Sequence, residues 1–169
     1  DQEKYEWVEY YKWKFKATWF SPFTEKLVLA TKTEFGFLGA YNEQLGVSPF
    51  ERFYVGGDGL SGMGYMNDGR ELVALRGYSN NSLSPQTGAT IYNKYTAELR
   101  YALSLNPTST MYALAFLEAG NAWEKFDDFN PFGVKRSAGI GIKIMLPMIG
   151  MMGLDYGWGL DEIIGNPDA

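Results

Sequence analysis

Tyr11-Lys12-Trp13-Lys14-Phe15-Lys16-Ala17-Thr18-Trp19 alternates without a break between apolar or aromatic residues and polar ones. Successive side chains of a strand point to opposite faces. Tyr11, Trp13, Phe15, Ala17 and Trp19 therefore share one face, and Lys12, Lys14 and Lys16 share the other. A soluble sandwich also produces such a pattern, but its strands average about five or six residues, whereas a tilted membrane strand needs about 9 to 11.

Five further segments of comparable length follow. Leu27 to Leu38 sets Leu27, Leu29, Thr31, Thr33, Phe35 and Phe37 against Lys32, Glu34 and Gly36, and Ile91 to Ser104 sets Ile91, Tyr95, Ala97, Leu99, Tyr101 and Leu103 against Lys94, Thr96, Glu98 and Arg100. Thr110 to Trp123 is less regular, because Leu114 and Phe116 share the parity of Glu118. Val134 to Leu146 and Met151 to Leu160 restore the alternation, with Gly or charge recurring on the second face. A polar lumen enclosed by a lipid-facing wall produces that recurrence.

The connections alternate too. Ser21 to Lys26, Asn106 to Ser109 and Pro147 to Gly150 are tight, while Gly39 to Thr90 and Glu124 to Gly133 are long. Short turns on one side and long loops on the other is the outer-membrane arrangement. By that parity the first strand runs inward and both chain ends lie on the outer side. Trp7, Trp19, Phe20, Trp123 and Trp158 are placed in the interfacial girdles. The smallest membrane barrels have about eight strands, so six strands predict a partial barrel, completed either by further strands outside these residues or by several chains together.

Composition agrees with a β-rich chain: 20 Gly, 12 Tyr, 11 Phe and 5 Trp among 169 residues. The absence of Cys and His removes disulfide scaffolds, Cys/His zinc sites, Cys nucleophiles and His acid–base chemistry. A net charge of −5 gives no footprint for nucleic acid. No apolar run is long enough for a transmembrane helix. Asp1-Gln2-Glu3-Lys4 does not read as a signal peptide, so the expectation is a processed or excised start.

The long connection of roughly fifty residues, 39–90, carries Phe50-Glu51-Arg52-Phe53-Tyr54-Val55-Gly56-Gly57 and Leu75-Arg76-Gly77-Tyr78, and a loop of that length is usually functional or disordered. Its aromatic groups predict that it folds back into the barrel and buries Phe53 and Tyr78. Gly56-Gly57-Asp58-Gly59 lacks the Lys-Ser/Thr ending and the helix of a phosphate loop. Asn67-Asp68-Gly69 reads as a turn rather than a calcium loop, and Asp127-Asp128 as a loop tip. Lys12, Lys14, Lys16, Lys32 and Glu34 read as groups that solvate the lumen or pair across strands, with a pore lining as the rival reading.

A guanidinium inside a barrel needs carboxylates for charge-assisted, bidentate hydrogen bonds. Glu98 and Glu118, on the lumen faces of the next two strands, are the candidates for Arg76. Taken alone, Arg76 reads more readily as a solvated loop charge and Glu118 as a generic lumen residue, because isolated charges are usually just solvated.

The two loop motifs, with Ala97-Glu98-Leu99-Arg100-Tyr101, Phe116-Leu117-Glu118-Ala119-Gly120-Asn121-Ala122-Trp123, Arg136-Ser137-Ala138-Gly139-Ile140-Gly141-Ile142 and Leu154-Asp155-Tyr156-Gly157, resemble the carboxy-terminal barrel half of the BamA family of outer-membrane-protein assembly factors, among the bacterial surface antigen barrels. The family's loop hallmark is Val-Arg-Gly-Phe or a near variant; here Leu75 replaces Val and Tyr78 replaces Phe. The resemblance implies a sixteen-stranded antiparallel barrel of which 1–169 holds the tenth to fifteenth strands. It implies that the POTRA domains, the first nine strands and the final strand, which should follow Asn166-Pro167-Asp168-Ala169, lie outside residues 1–169. It implies docking of Arg76, Gly77 and Tyr78 onto a wall carrying Glu98 and Glu118, through Glu98, Glu118 or both. A register shift would move the first of these towards Arg100. It implies a non-enzymatic insertase without cofactor or metal, working in the bacterial outer membrane with outer-membrane lipids, accessory assembly lipoproteins and client β-barrel proteins, and with no nucleic acid. The alternatives are a two-partner secretion transporter, a porin-like pore, or a soluble ligand-binding barrel.

Overall fold

A computed structural model describes residues 9–41, 46–59, 70–106 and 109–163. The six alternating segments become long strands: β1 (Tyr10–Pro22), β2 (Leu27–Ala40), β5 (Ile91–Asn106), β6 (Ser109–Trp123), β7 (Lys135–Leu146) and β8 (Gly150–Gly159). Two three-residue strands, β3 (Phe53–Val55) and β4 (Glu71–Val73), lie within the connection between β2 and β5. The long strands pair in the order β1-β2-β5-β6-β7-β8, every pair antiparallel, and the sheet does not close. With 16 residues in the longest and 10 in the shortest, each is long enough to cross a hydrocarbon layer. The upper end is taken as the one with the long connections, so β1 runs downward.

Register fixes two faces. One row across the sheet is Leu29, Leu99, Ala115, Ile140 and Tyr156; the row behind it is Ala30, Glu98, Phe116, Gly139 and Gly157. Exposure runs opposite to that of a soluble protein. Leu154, Tyr156, Trp13 and Phe15 are 85%, 72%, 70% and 61% exposed, whereas Glu118 is 3% exposed. A water-soluble sheet buries its greasy row against a second layer. Here the second layer lies on the charged face, leaving the apolar wall bare as lipid contact requires.

That second layer is the long connection. β3 and β4 pair in parallel, Phe53 bridges to Ala89 and Gly57 to Leu75. The result is a small core in which Phe53, Val55, Leu75 and Leu83 pack on Leu38, Tyr92 and Ala122 of the upper inner face. Full burial of a side chain such as Phe53 contributes about 1.5–3 kcal/mol, so the loop is a folded plug. Phe53 is fully buried as its sequence suggested, and Tyr78 is half-buried against this core.

The irregular parity of β6 has a cause. Leu114 and Phe116 are inner-face residues, 5% and 2% exposed, because that face carries protein as well as water. Phe20 departs from the expected girdle position: it has the inner-face parity of Lys12 and Lys16, and the Arg100 guanidinium lies 5.7 Å from its ring. At the lower end Leu103 bulges out of the β5–β6 register between Ala102 and Ser104, close to the turn. Trp7, Asn67-Asp68-Gly69 and the segment after Ile163 lie outside the described residues.

Leu117, 60% exposed at mid-height of β6, distinguishes lipid from water. Leu117→Arg is expected to destabilise the intact barrel by about 2–4 kcal/mol in bilayers. Denaturant unfolding in vesicles measures this, and an exposed site in water would change by no more than about 0.5 kcal/mol.

Candidate functional site

Arg76 follows β4 and reaches the inner face of the sheet where β6, β5 and β8 present Glu118, Glu98 and Asp155 on three successive inward-facing rungs. Its Nη2 lies 2.7 Å from both Glu98 Oε1 and Glu118 Oε1, its Nε donates to Glu118 Oε1 at 3.1 Å, and its backbone N–H donates to Glu118 Oε2 at 2.8 Å. Nη1 reaches Asp155 Oδ2 of β8 at 3.1 Å. The guanidinium carbon sits 3.6 Å from the centroid of the Phe116 ring, within cation–π range. Three carboxylates and one aromatic face thus surround a single side chain from three strands.

The acids are themselves held. Arg100 donates to Glu98 Oε2 from Nε and Nη2 at 2.9 and 2.6 Å, and Lys143 lies 2.6 Å from Asp155 Oδ2. Lys94 Nζ lies 3.1 Å from Glu118 Oε1 and donates to the Ala74 carbonyl at 2.5 Å, tying the wall to the loop backbone one residue before the Leu75-Arg76 step. Burial opposes the charge on Arg76, but hydrogen bonds and Coulombic attraction from Glu118, then Glu98, outweigh it and raise its pKa above the usual arginine value. The guanidinium is permanently charged. The cluster lines a polar cavity of about 260 Å³.

Gly77 and Tyr78 complete the contact. Gly77 has φ +90°, and a Cβ there would stand 2.7 Å from the Trp158 carbonyl carbon, so the loop backbone rests directly on β8. Across from it, a Cβ at Gly157 would meet Phe116 Cζ at 3.0 Å and Gly77 N at 3.2 Å. Tyr78 Oη donates to the Arg136 carbonyl at 2.6 Å and accepts from the Asp161 N–H at 3.3 Å. Burial raises the Tyr78 pKa. Asp161 in turn accepts from Arg136 Nη2 at 2.8 Å, Nε at 3.0 Å and N at 2.7 Å, and the Arg136 side chain, then its backbone N–H, lowers the Asp161 pKa to about 2.

A second attachment lies on β1. Lys12 Nζ is 2.8 Å from Glu71 and 3.1 Å from Glu51, and Lys14 Nζ is 3.2 Å from Glu71. The Lys12 hydrogen bond lowers the pKa of Glu51. Lys32 and Lys16 behave differently, pairing with Glu34 at 2.7 and 3.9 Å. The five residues singled out for docking, Arg76, Gly77, Tyr78, Glu98 and Glu118, come together at one place. Sequence reading missed Asp155, Lys94, Phe116, Gly157 and the Lys12–Glu51–Glu71 contact. Asp155 was visible as the single acid in the Gly-rich face of β8, but nothing local aimed it at Arg76.

An open antiparallel sheet with an apolar outer wall, and a loop folded onto a charged inner face, defines a partial transmembrane β-barrel of the outer-membrane type. The chain belongs to the Omp85 superfamily, whose domain profile matches residues 3–168. No curated protein matches it. Among solved structures it is similar to the crystal structure of BamA from Haemophilus ducreyi lacking POTRA domains 1-3, with a TM-score of 0.69 and 19% identity over 94% of this chain. The chain spans 33% of the length of that one.

Arg76→Ala leaves Glu118 buried with only Lys94 as counter-ion. A broken buried pair costs about 3–5 kcal/mol, and Lys94 keeps the loss near the lower value of about 3 kcal/mol. New protease cleavage between β3 and β5 of the intact protein reports it; an unchanged pattern would count against docking. For Asp161 the depressed pKa means its contribution is present above about pH 4 and lost as pH falls through about 2. NMR titration of the Asp161 carboxyl should show that midpoint, and Arg136→Ala should raise it towards, but not to, the free value of about 3.9, because the backbone N–H of residue 136 still donates to the carboxylate.

Proposed function

We propose that this chain is the plug-bearing part of an outer-membrane insertase that assembles client β-barrel proteins in the bacterial outer membrane. The observation that carries the reading is the attachment of the loop at two places on one wall, Arg76 on β5, β6 and β8 and Lys12 on β1. A general pore keeps its inner face open to water, whereas here a dry core of Phe53, Val55 and Leu75 covers the upper inner face. A plugged barrel is useful as a braced wall. Clients gain their energy from burying apolar surface and pairing their own strands in the bilayer, so the reading is non-enzymatic and invokes no nucleotide. The fold match to BamA, together with the Leu75-Arg76-Gly77-Tyr78 motif, supports this assignment over an ordinary porin, whereas a two-partner secretion transporter shares the arginine motif. Arg76, Gly77, Tyr78, Glu98 and Glu118 serve as the docking set that holds the plug. Outer-membrane lipids surround the apolar wall, and accessory lipoproteins bind parts of the protein beyond these strands.

The test is reconstitution of the intact protein in vesicles with an unfolded client barrel. Wild-type protein should speed client folding, and Arg76→Ala should slow it severalfold without removing the protein from the membrane. Steady ion conductance by the wild type, with no effect on client folding, would assign the chain to a secretion pore instead.

A further inference from the structure

The connection between β6 and β7 takes the opposite route from the arginine loop: it folds over the outer face. At the upper rim that face carries a cross-strand pair of amides, Asn93 opposite Asn121. Asn93 is fully buried; its Nδ2 donates to the Pro131 carbonyl at 2.9 Å and its Oδ1 accepts from the Asn121 N–H at 3.2 Å. Asn121 Nδ2 donates to the Gly133 carbonyl at 2.7 Å. Above these amides the rings interlock. Phe129 lies edge-on to Trp123 at 5.1 Å and to Phe37 at 5.8 Å, and Phe126 lies 6.5 Å from Phe37. Phe37 and Trp123 have the outward parity of Phe35 and Leu117.

The segment leaves its own greasy groups bare. Phe126 is 70% and Phe132 88% exposed, interleaved with exposed Glu124, Lys125, Asp127 and Asp128. We propose that residues 124–133 form an interfacial shelf, a lipid-binding surface that seats Phe126 and Phe132 at the boundary between headgroups and acyl chains on the long-loop side. The shelf fixes the depth of the barrel. Its position supports this, since Tyr95, Ala97 and Leu117 continue the apolar wall directly below the amide pair. So does its chemistry. Aromatic rings among charges suit the headgroup boundary, where one end of the group is dry and the other wet, whereas the centre of a protein interface is depleted of charge. The shelf also supplies the carbonyl partners without which two amides would face hydrocarbon unsatisfied.

The inference rests on the outer face being the lipid face, and the experiment separates the two. The intact protein, without other cysteines, is labelled with a small fluorophore at Phe132→Cys, at Leu117→Cys on the wall, or at Asn80→Cys in the arginine loop. It is placed in vesicles containing a headgroup-proximal nitroxide lipid, with iodide as the aqueous quencher. The Phe132→Cys label should be quenched severalfold more by the nitroxide lipid, and severalfold less by iodide, than the Asn80→Cys label. Iodide quenching equal at Phe132→Cys and Asn80→Cys, with Leu117→Cys still seen by the lipid, overturns the shelf and leaves the barrel reading intact. Shielding of Phe132→Cys from both quenchers overturns it too, by showing a protein cover. Iodide access at Leu117→Cys would sink the lipid-facing wall itself.

Discussion

A carboxylate at 3% exposure cannot stand alone, and Glu118 on β6 is the point from which the inner architecture follows. Removing a lone carboxylate from water costs several kcal/mol even after relaxation, so a cation must come to it. Lys94 arrives from the neighbouring strand and Arg76 from a loop that begins far away at the top of β2. Satisfying Glu118 therefore requires the loop to cross the lumen, and the crossing brings Phe53, Val55 and Leu75 onto the sheet. The electrostatic demand and the hydrophobic core act together: the core covers the upper inner face, and the arginine fixes where along the wall below that core the tip lands.

The walls differ in what they offer that tip. β1 and β2 project long side chains, Lys12, Lys14, Lys16, Lys32 and Glu34, and their contacts are made at the ends of flexible stems. On β7 and β8 the inner face between Ser137 at the top and Met145 and Met151 at the bottom is Gly139, Gly141, Gly153, Gly157 and Gly159 around Lys143 and Asp155. Cross-strand side-chain pairs contribute roughly 0.2–1 kcal/mol each, and a glycine pair such as Gly139 with Gly157 contributes none. What stands in their place is the loop backbone at Gly77, against which Gly157 and Gly159 leave no room for a side chain. The tip supplies packing that the strands themselves lack.

Period-two alternation carried the six strands and the two faces, because lipid on one side and a polar interior on the other force every strand to declare its parity. The assignment was clearest at Tyr11 to Trp19 and least clear at Thr110 to Trp123, where the inner face is covered by protein and Phe116 is selected to lie under Arg76. Phe20 failed for a related reason: an aromatic at a strand end reads as a girdle residue, but its parity put it inside beneath Arg100. Arg76, Glu98 and Glu118 were legible as a charge in need of carboxylates only with the family resemblance beside them, and Gly77 and Tyr78 only through its loop motif. Asp155, 79 residues away in sequence, was not, since its approach to Arg76 depends on the curvature of the whole sheet.

The same reasoning explains why the two long connections part company. Each leaves the upper rim beside polar strand-end groups that need covering. The β2–β5 connection faces buried acid and Lys94 and carries Arg76 with a run of large apolar residues, so it satisfies both needs by turning inward. The β6–β7 connection faces an amide pair on the outer wall, where the neighbouring strand satisfies Asn93 Oδ1 but the two side-chain NH2 groups still need acceptors. It has no long apolar run to build a plug, but it has backbone carbonyls at Pro131 and Gly133 and rings at Phe126 and Phe129, which is what an outward turn demands. The side to which a loop folds is thus decided by which unsatisfied groups the rim presents, and by whether the loop carries the charge or the carbonyl that meets them.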